Sequence, residues 1–122
     1  MIKVITLLTR KPGMTSAAFR ERYEHGHRQI GEKYLRNEAV RYVRRYVTPS
    51  DPEVQYGSEP DFDVLMEIWF PTQGAMERAM AALGTPAAQA EIVADEEALF
   101  DRSRIVTFVV DEVESDLGAA TP

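Results

Sequence analysis

The sequence predicts an α+β fold in which a four-stranded antiparallel sheet carries helices on one face. Four stretches rich in β-branched and aromatic residues alternate with helical patterns in the order β-α-β-β-α-β, and the second crossover contains an extra helical piece. The length of 122 residues suits one domain, and the composition, 44% hydrophobic and 28% charged, is that of a globular protein. Crossovers in this order place the helices on the same side of an antiparallel sheet.

The N-terminal part of the chain predicts a strand followed by an amphipathic helix. Ile2 to Thr9 is an apolar, β-branched run that ends in a Pro-Gly turn signal. Thr15 or Ser16 can cap the next helix. Charged residues such as Glu24 and Arg28 are expected on its surface. Side chains at spacings of three and four form its inward stripe, which comprises Phe19, Tyr23, His27, Ile30 and Tyr34.

The middle of the chain predicts two strands separated by a loop. Residues 40–48 alternate in side-chain character, although neither face is plainly apolar. The proline-rich residues 49–60 predict a loop whose length suits a lid or a rim. Residues 61–70 form the clearest strand, with one apolar face. Its other face carries Asp61, Asp63, Leu65, Glu67 and Trp69.

The C-terminal half predicts two helices and a last strand. Thr72 and Thr85 can each cap a helix; the first ends at Gly84, and the second starts with a proline and runs to about Phe100. Residues 104–113 then form a β-rich run. The apolar stripe of the first of these two helices comprises Met76, Ala79, Met80 and Leu83.

The predicted domain covers residues 1–114, and residues 115–122 should form a flexible tail. Helices on one side leave the other face of the sheet open, and that face carries Leu65 and Trp69. The simplest cover is a second copy of the chain, packed sheet against sheet about a two-fold axis and enclosing a barrel-like cavity. The sequence therefore predicts a homodimer.

The net charge of −6 is unevenly distributed along the chain. Residues 1–48 carry eleven Lys/Arg and four Asp/Glu, whereas residues 49–122 carry three and sixteen. Because the basic residues form no run, we favour mutual neutralisation of interleaved elements over nucleic-acid binding. The absence of cysteine excludes disulfides, thiolate metal sites and cysteine nucleophiles. The N-terminal apolar run is too short for a membrane span and lacks a cleavage site, which predicts a cytoplasmic protein.

Residues 19–35 contain both histidines, His25 and His27, with Gly26 between them. His27 lies on the inward stripe, where an imidazole can give and take protons near neutral pH; the alternative is a core histidine bonded to a backbone carbonyl. His25 is expected in solvent, and imidazoles on different sides of a helix argue against a metal site. Gly26 destabilises a helix by about 1 kcal/mol relative to alanine, so either a pocket or close packing beside His27 is expected to require it.

Acidic and aromatic side chains can complete a site around His27. Asp63 and Glu67 share a strand face with Trp69, where either could orient the imidazole or act as a general base. The alternative is an ion pair with an arginine of the preceding strand, which we favour for Glu67. Tyr42, Tyr46 and Trp69 can form an aromatic wall for a ring-shaped substrate, or they can belong to the dimer interface.

Four motifs together resemble the EthD family of the dimeric α/β-barrel superfamily: RKPGMTSAAFRERYEHGH, RYVRRYV, FDVLMEIWF and VADEEALFDRSR. The similarity spans about residues 2–114. It implies a ferredoxin-like fold, a homodimer with a pocket between helices and sheet, and chemistry without a metal or organic cofactor. After His27 the chain lacks the proline of the family's His-x-Pro-Leu pattern. The family's histidine, strand acid, strand tryptophan and acidic pair correspond to His27, Asp63, Trp69, Asp95 and Glu96.

From the resemblance we predict a cofactor-independent lyase, isomerase or cyclase that uses general acid–base catalysis on a small cyclic, phenolic, polyketide-like or lactone-like metabolite. The predicted catalytic residues are His27 and Asp63. No metal, nucleic-acid or membrane partner is predicted. Two alternatives remain: a small-ligand binding module without turnover, and a haem-handling protein with His27 as the axial ligand. The predicted substrate-binding residues are Tyr23, Tyr46, Glu67 and Trp69.

Overall fold

A computed structural model describes residues 1–121 and shows the predicted α+β fold, with a four-stranded antiparallel sheet in the order β2-β3-β1-β4. Its strands are β1 (Ile2–Leu8), β2 (Arg41–Tyr46), β3 (Val64–Phe70) and β4 (Val106–Val110). Its helices are α1 (Ser16–Arg22), α2 (Arg28–Leu35), α3 (Gln73–Leu83) and α4 (Pro86–Leu99). A π-helical turn (Tyr23–His27) joins α1 to α2, and a 3-10 turn (Arg102–Arg104) precedes β4.

Threonine side chains begin three of the helices, as the sequence predicts. Thr15, Thr72 and Thr85 each accept a hydrogen bond from the backbone N–H three residues further on, at 3.1, 3.1 and 3.3 Å. Each of these residues has an extended backbone, so the chain turns into the helix at the threonine. These caps fix where the helix layer starts over the sheet.

Two apolar clusters fill the space between the sheet and the helices. The helix α3 packs through Ala75 and Ala79, whose small side chains let its backbone approach the sheet. Met80 was predicted to face inward, but it lies on the exposed side of α3, because the contact runs through this alanine pair one residue earlier. The first cluster comprises Val4, Leu35, Ile68, Phe70, Ala75 and Ala79. The second comprises Leu8, Phe19, Tyr23, Val64, Leu99 and Phe100.

The strands are shorter than the sequence predicts, and β3 and β4 are the two for which the difference matters to the site and to the C-terminal end. The strand β3 begins at Val64 instead of residue 61, so Asp63 does not follow the alternation of the strand. The strand β4 ends at Val110, and residues 111–121 contain no helix or strand. Residues 47–63 likewise contain no helix or strand, in agreement with the predicted loop.

Ion pairs connect the basic first half of the chain to its acidic second half. Such pairs join α1 to α4, α2 to α4, and β2 to β3, so they lie between elements that are adjacent in space. This arrangement agrees with mutual neutralisation of the two halves. The pairs are Lys3–Glu112, Arg10–Asp63, Arg22–Asp95, Lys33–Glu91 and Arg45–Glu67.

The π-helical turn changes which side chains face inward in the first helical segment, which comprises α1, this turn and α2 (residues 16–35). The N–H of Arg28 donates to the carbonyl of Tyr23, which lies five residues earlier, whereas an α-helix joins residues that are four apart. The extra residue lets Glu24, which was predicted to lie on the surface, turn towards β2. Near Gly26, no atom lies within 4 Å of where a Cβ would stand, so neither a pocket wall nor close packing requires this glycine. Close packing occurs instead at Gly31, where a Cβ would stand 2.9 Å from the Tyr42 ring.

Candidate functional site

His27 forms a hydrogen-bonded pair with Asp95 of α4. The imidazole Nδ1 lies 2.8 Å from the Asp95 Oδ2, and only 13% and 15% of the two side chains are exposed. The edges of the rings of Tyr23 and Phe100 meet the imidazole at centroid distances of 5.2 and 5.0 Å. Arg22 donates to the other oxygen of Asp95 at 3.1 Å. Asp95 therefore contacts both Arg22 and His27.

This arrangement fixes the protonation of the imidazole at one nitrogen. An ionised carboxylate only accepts hydrogen bonds, so Nδ1 carries a proton and donates it to Asp95. In the neutral ring the remaining nitrogen, Nε2, is then the acceptor. An aspartate that orients a histidine in this way also stabilises the imidazolium formed when Nε2 takes a proton.

A second polar cluster lies beside this pair, between the π-helical turn and β2. Glu24 accepts two hydrogen bonds from the Arg44 guanidinium, at 2.7 and 3.0 Å, and one from the Tyr46 hydroxyl at 2.6 Å. The hydrogen bonds from Arg44 are the main reason that the pKa of Glu24 falls to about 2. Burial, followed by the bond to Glu24, raises the pKa of Tyr46.

Glu24 and Arg44 were not predicted as site residues, although the sequence of β2 contains a signal for them. The side chains of Tyr42, Arg44 and Tyr46 share the face of β2 that packs on the helices, because they alternate with positions on the opposite face. An arginine on a buried face needs an acid on the element that covers it. Glu24 is adjacent to the buried Tyr23 and provides that acid.

Tyr23 was predicted to bind substrate and is fully buried in the core. Its hydroxyl forms a 2.9 Å hydrogen bond with the hydroxyl of Tyr42, and burial raises its pKa well above the ordinary value. Gly31 permits the close approach of the Tyr42 ring to α2. Tyr23 thus supports the imidazole of His27 from the side of the core.

Asp63 does not orient His27. Its carboxylate accepts hydrogen bonds from the backbone N–H of Arg10 at 2.7 Å and from the guanidinium of Arg10 at 2.6 Å. Asp63 lies one residue before β3 begins. Its carboxylate therefore binds Arg10, just after the end of β1, and is not part of the face of the strand. The carboxylate that orients the imidazole is Asp95.

Glu67 and Trp69 lie on the face of the sheet opposite the helices. Glu67 pairs with Arg45, as we favoured from the sequence. The Trp69 ring lies between two cations, with the Lys3 ammonium 3.8 Å and the Arg41 guanidinium 4.4 Å from its centroid. The sheet therefore separates these two predicted substrate-binding residues from His27, whereas Tyr46 lies on the same side as His27.

Two cavities open near the ends of β1 and β2. The larger, about 690 Å³, lies between the turn after β1 and the segment before β3, and Arg10, Asp63, Asp101 and Arg104 are among its walls. The smaller, about 210 Å³, lies between the start of α1 and the end of β2, beside Tyr46. His27 is in the wall of neither.

The part of the chain that the structure describes offers no grouping of three His, Cys, Asp or Glu side chains that could hold a metal ion. Within residues 1–121, every helix is too short or too polar to cross a membrane.

The fold resembles those of several solved proteins at low sequence identity. An EthD-like protein from Ralstonia eutropha is 19% identical with a TM-score of 0.64, and 94% of this chain and 95% of that chain are covered. An ethyl tert-butyl ether D (EthD) family protein from Bacillus halodurans is 17% identical with a TM-score of 0.62, covering 93% and 100%. SnoaB, a cofactor-independent oxygenase from Streptomyces nogalater, is 12% identical with a TM-score of 0.55, covering 96% and 97%.

Comparison with curated protein sequences gave no match. The model of the EthD domain, in contrast, matches residues 11–103, which include the first helical segment, the sheet strands β2 and β3, and α4. This match covers more than half of the chain and includes both members of the His27–Asp95 pair. The chain therefore belongs to the EthD family and has its ferredoxin-like fold.

Proposed function

We propose that this protein is a cofactor-independent enzyme that transfers protons on a small cyclic metabolite, with His27 as the acid/base group and Asp95 as its positioning residue. The observation that carries this proposal is the 2.8 Å hydrogen bond within a nearly buried imidazole–carboxylate pair. A structural histidine needs only one acceptor. Here the acceptor is a carboxylate that also forms an ion pair with Arg22, an arrangement suited to a ring that gains and loses a proton.

The proposed reaction begins when Nε2 of His27 removes a proton from a carbon next to a carbonyl group of the substrate. The electrons remain on the substrate as an enolate, and Asp95 stabilises the imidazolium through Nδ1. Return of the proton at another position completes an isomerisation, while loss of a leaving group from the enolate completes an elimination. An enolate can also react with O₂, so oxygenation is the variant that the likeness to SnoaB suggests.

Hydrogen–deuterium exchange tests the proton-transfer step before the substrate is known. Small β-keto lactones and hydroxylated aromatic ketones are incubated with the protein in D₂O, and the loss of the acidic C–H signal is followed by NMR. We expect His27→Gln to lower the protein-catalysed exchange rate by about 100-fold or more, because general acid–base catalysis contributes at least this factor. His25→Gln is the matched control, since His25 is highly exposed.

Equal exchange rates in the two histidine variants would contradict the proposal. Asp95→Asn keeps the shape of the residue but removes its charge, so exchange should fall while the thermal unfolding temperature changes little. An oxygen electrode in the same assay separates oxygenation from isomerisation, since only oxygenation consumes O₂.

We further propose that the enzyme is a homodimer formed through the face of the sheet opposite the helices. On this face Val106, Phe108 and Val110 of β4 are exposed, and they lie in register beside Lys3, Ile5 and Leu7 of β1. Such a row of exposed apolar side chains on a sheet favours association with another apolar surface.

A ligand-binding module without turnover is the second candidate. The observation that favours it is the position of the smaller cavity, which has an aromatic wall but does not include His27. A compound that binds this cavity and is recovered unchanged after long incubation would support binding alone.

A further inference from the structure

The smaller cavity has the size and the walls of a site for a single aromatic ring. Its volume is about 210 Å³, and it lies between the first turn of α1 and the end of β2. An apolar protein cavity of about 150 Å³ accepts benzene, so this cavity has room for one ring with a small substituent. Phe19 and Tyr46 line it with their rings in an edge-to-face contact, 6.4 Å between centroids.

The wall of this cavity includes the cationic side chain of Arg20, which has no carboxylate partner in the described part of the chain. The guanidinium of Arg20 lies 4.7 Å from the centroid of the Tyr46 ring, and within residues 1–121 it forms no ion pair or hydrogen bond with an acid. Most other arginines of this acidic protein are paired, including Arg22 on the same helix and Arg44 on β2. A guanidinium stacked on an aromatic ring keeps its N–H groups available for a carboxylate.

The other polar groups in the cavity wall are compatible with an anion. The carboxylate of Asp63 is already neutralised by two hydrogen bonds from Arg10. The Oγ of Ser16 accepts a hydrogen bond from Arg10 at 2.7 Å, which leaves its own O–H free to donate. The Tyr46 hydroxyl is engaged by Glu24, so Tyr46 offers the cavity its ring and not its hydroxyl.

We propose that this cavity is a binding site for a small aromatic carboxylate, with the ring packed against Tyr46 and the carboxylate on Arg20. The guanidinium and carboxylate form a two-point contact, and the aromatic wall excludes water from one side of it. This site is separate from His27, so it does not depend on the proton-transfer function. Benzoate binding and deuterium exchange can therefore fail or succeed independently.

Benzoate is the probe, and binding is followed through the backbone amide signals of ¹⁵N-labelled protein. We expect saturable shifts at Arg20, Tyr46 and Thr48, with a Kd on the order of 1 mM for so small a ligand. Benzamide keeps the ring without the charge, and acetate keeps the charge without the ring. Both should bind about tenfold more weakly or not at all.

Two variants and a matched control complete the test. Arg20→Gln should weaken benzoate binding by about tenfold and leave benzamide unaffected. Arg36→Gln is the control, because Arg36 is another exposed arginine that within residues 1–121 has no carboxylate partner, and it lies near the end of the first helical segment, outside this cavity. Ala17→Phe, at an exposed position in the cavity wall, should block the site and abolish binding of benzoate.

The following results would overturn the proposal. They are an absence of saturable benzoate shifts up to about 10 mM, equal affinity of the Arg20→Gln and Arg36→Gln variants, and shifts confined to residues outside the cavity. Equal binding of acetate and benzoate would also overturn it, because the aromatic walls would then have no role.

Discussion

Charged side chains are buried and paired to different extents on the two faces of the sheet, and neighbouring residues of β2 show the contrast. On the helix side, Arg44 is 18% exposed and forms two hydrogen bonds with Glu24, to which Tyr46 adds a third. On the opposite side, Arg45 is 50% exposed and forms an ion pair with Glu67. The inner face is a polar network that one chain completes by itself.

The outer face, which is the face opposite the helices, has groups for which one chain provides no partner or cover. Lys3 and Arg41 cover the faces of the Trp69 ring, yet the indole N–H is buried and has no hydrogen-bond partner in the described part of the chain. The apolar side chains of β4 on this face, including Phe108, are exposed. The difference indicates that stability within one chain comes from the inner face, whereas the outer face is available for association.

The largest effect is expected when the inner network is broken at Arg44. Arg44→Met leaves the partly buried Glu24 without its main partner, which should lower the free energy of unfolding by about 3 kcal/mol. Arg45→Met, one residue further along β2, removes an exposed arginine and should lower it by less than about 1 kcal/mol. Urea unfolding at neutral pH measures both values. Equal losses in the two variants would show that the faces do not differ in this way.

Acid should weaken the same network by protonating Glu24. The folded-state pKa of about 2 lies below the ordinary 4.5, so the folded state favours the ionised form. The stabilisation is complete above pH 4.5 and is lost as the pH falls towards 2. Glu24→Gln removes this contribution, so the difference in unfolding free energy between wild type and variant should shrink across that interval. A constant difference would mean that Glu24 has an ordinary pKa.

Association through the outer face is tested at Phe108, which is 40% exposed on that face of β4. Phe108→Asp should weaken a dimer by about 100-fold, or about 2.7 kcal/mol, because each copy loses one apolar contact. Val109→Asp is the control, since Val109 is 62% exposed on the opposite face of the same strand. Sedimentation equilibrium of both variants and the wild type gives the dissociation constants. A wild-type monomer at high concentration would exclude the dimer.

The order of elements could be predicted from the sequence because it depends on local patterns. Alternation identified β3, Thr72 was predicted as a helix cap, and the starts of the other two helices were placed at Thr15 or Ser16 and at Thr85-Pro86. Of the predicted α3 stripe, Met76, Ala79 and Leu83 do pack on the core, whereas Met80 is exposed and the buried Ala75 was not predicted.

The site was harder to predict, because it depends on features that a regular period does not contain. The π-helical turn adds a residue to the first helical segment and rotates Glu24 inward. Asp95 lies 68 residues from His27, and only the packing of α4 on this turn brings them together. Asp63 was placed on a strand face because the predicted strand began three residues too early; in the structure it precedes β3 and pairs with Arg10.

The packing of the inner network against α2 can be tested at Gly31. A Cβ at this position would stand 2.9 Å from the ring of Tyr42, which cannot move freely because its hydroxyl is bonded to the buried Tyr23. Gly31→Ala should therefore lower the free energy of unfolding by about 2 kcal/mol, the usual cost of overpacking a core. The double variant Gly31→Ala/Tyr42→Leu should be less destabilised than the sum of its single variants, and additive effects would argue against the contact.

The smallest effect, and one of opposite sign, is expected at Gly26, five residues earlier in the same helical segment. No atom lies within 4 Å of a Cβ at this position, so alanine meets no steric barrier. Because glycine in a helix is less favourable than alanine by about 1 kcal/mol, Gly26→Ala should raise the free energy of unfolding by up to that amount. The Nδ1–H signal of His27 in the NMR spectrum should be unchanged, since the bond to Asp95 does not involve Gly26. A loss of stability together with a shift of that signal would mean that glycine is required for the π-helical turn itself, and hence for the geometry that places His27 beside Asp95.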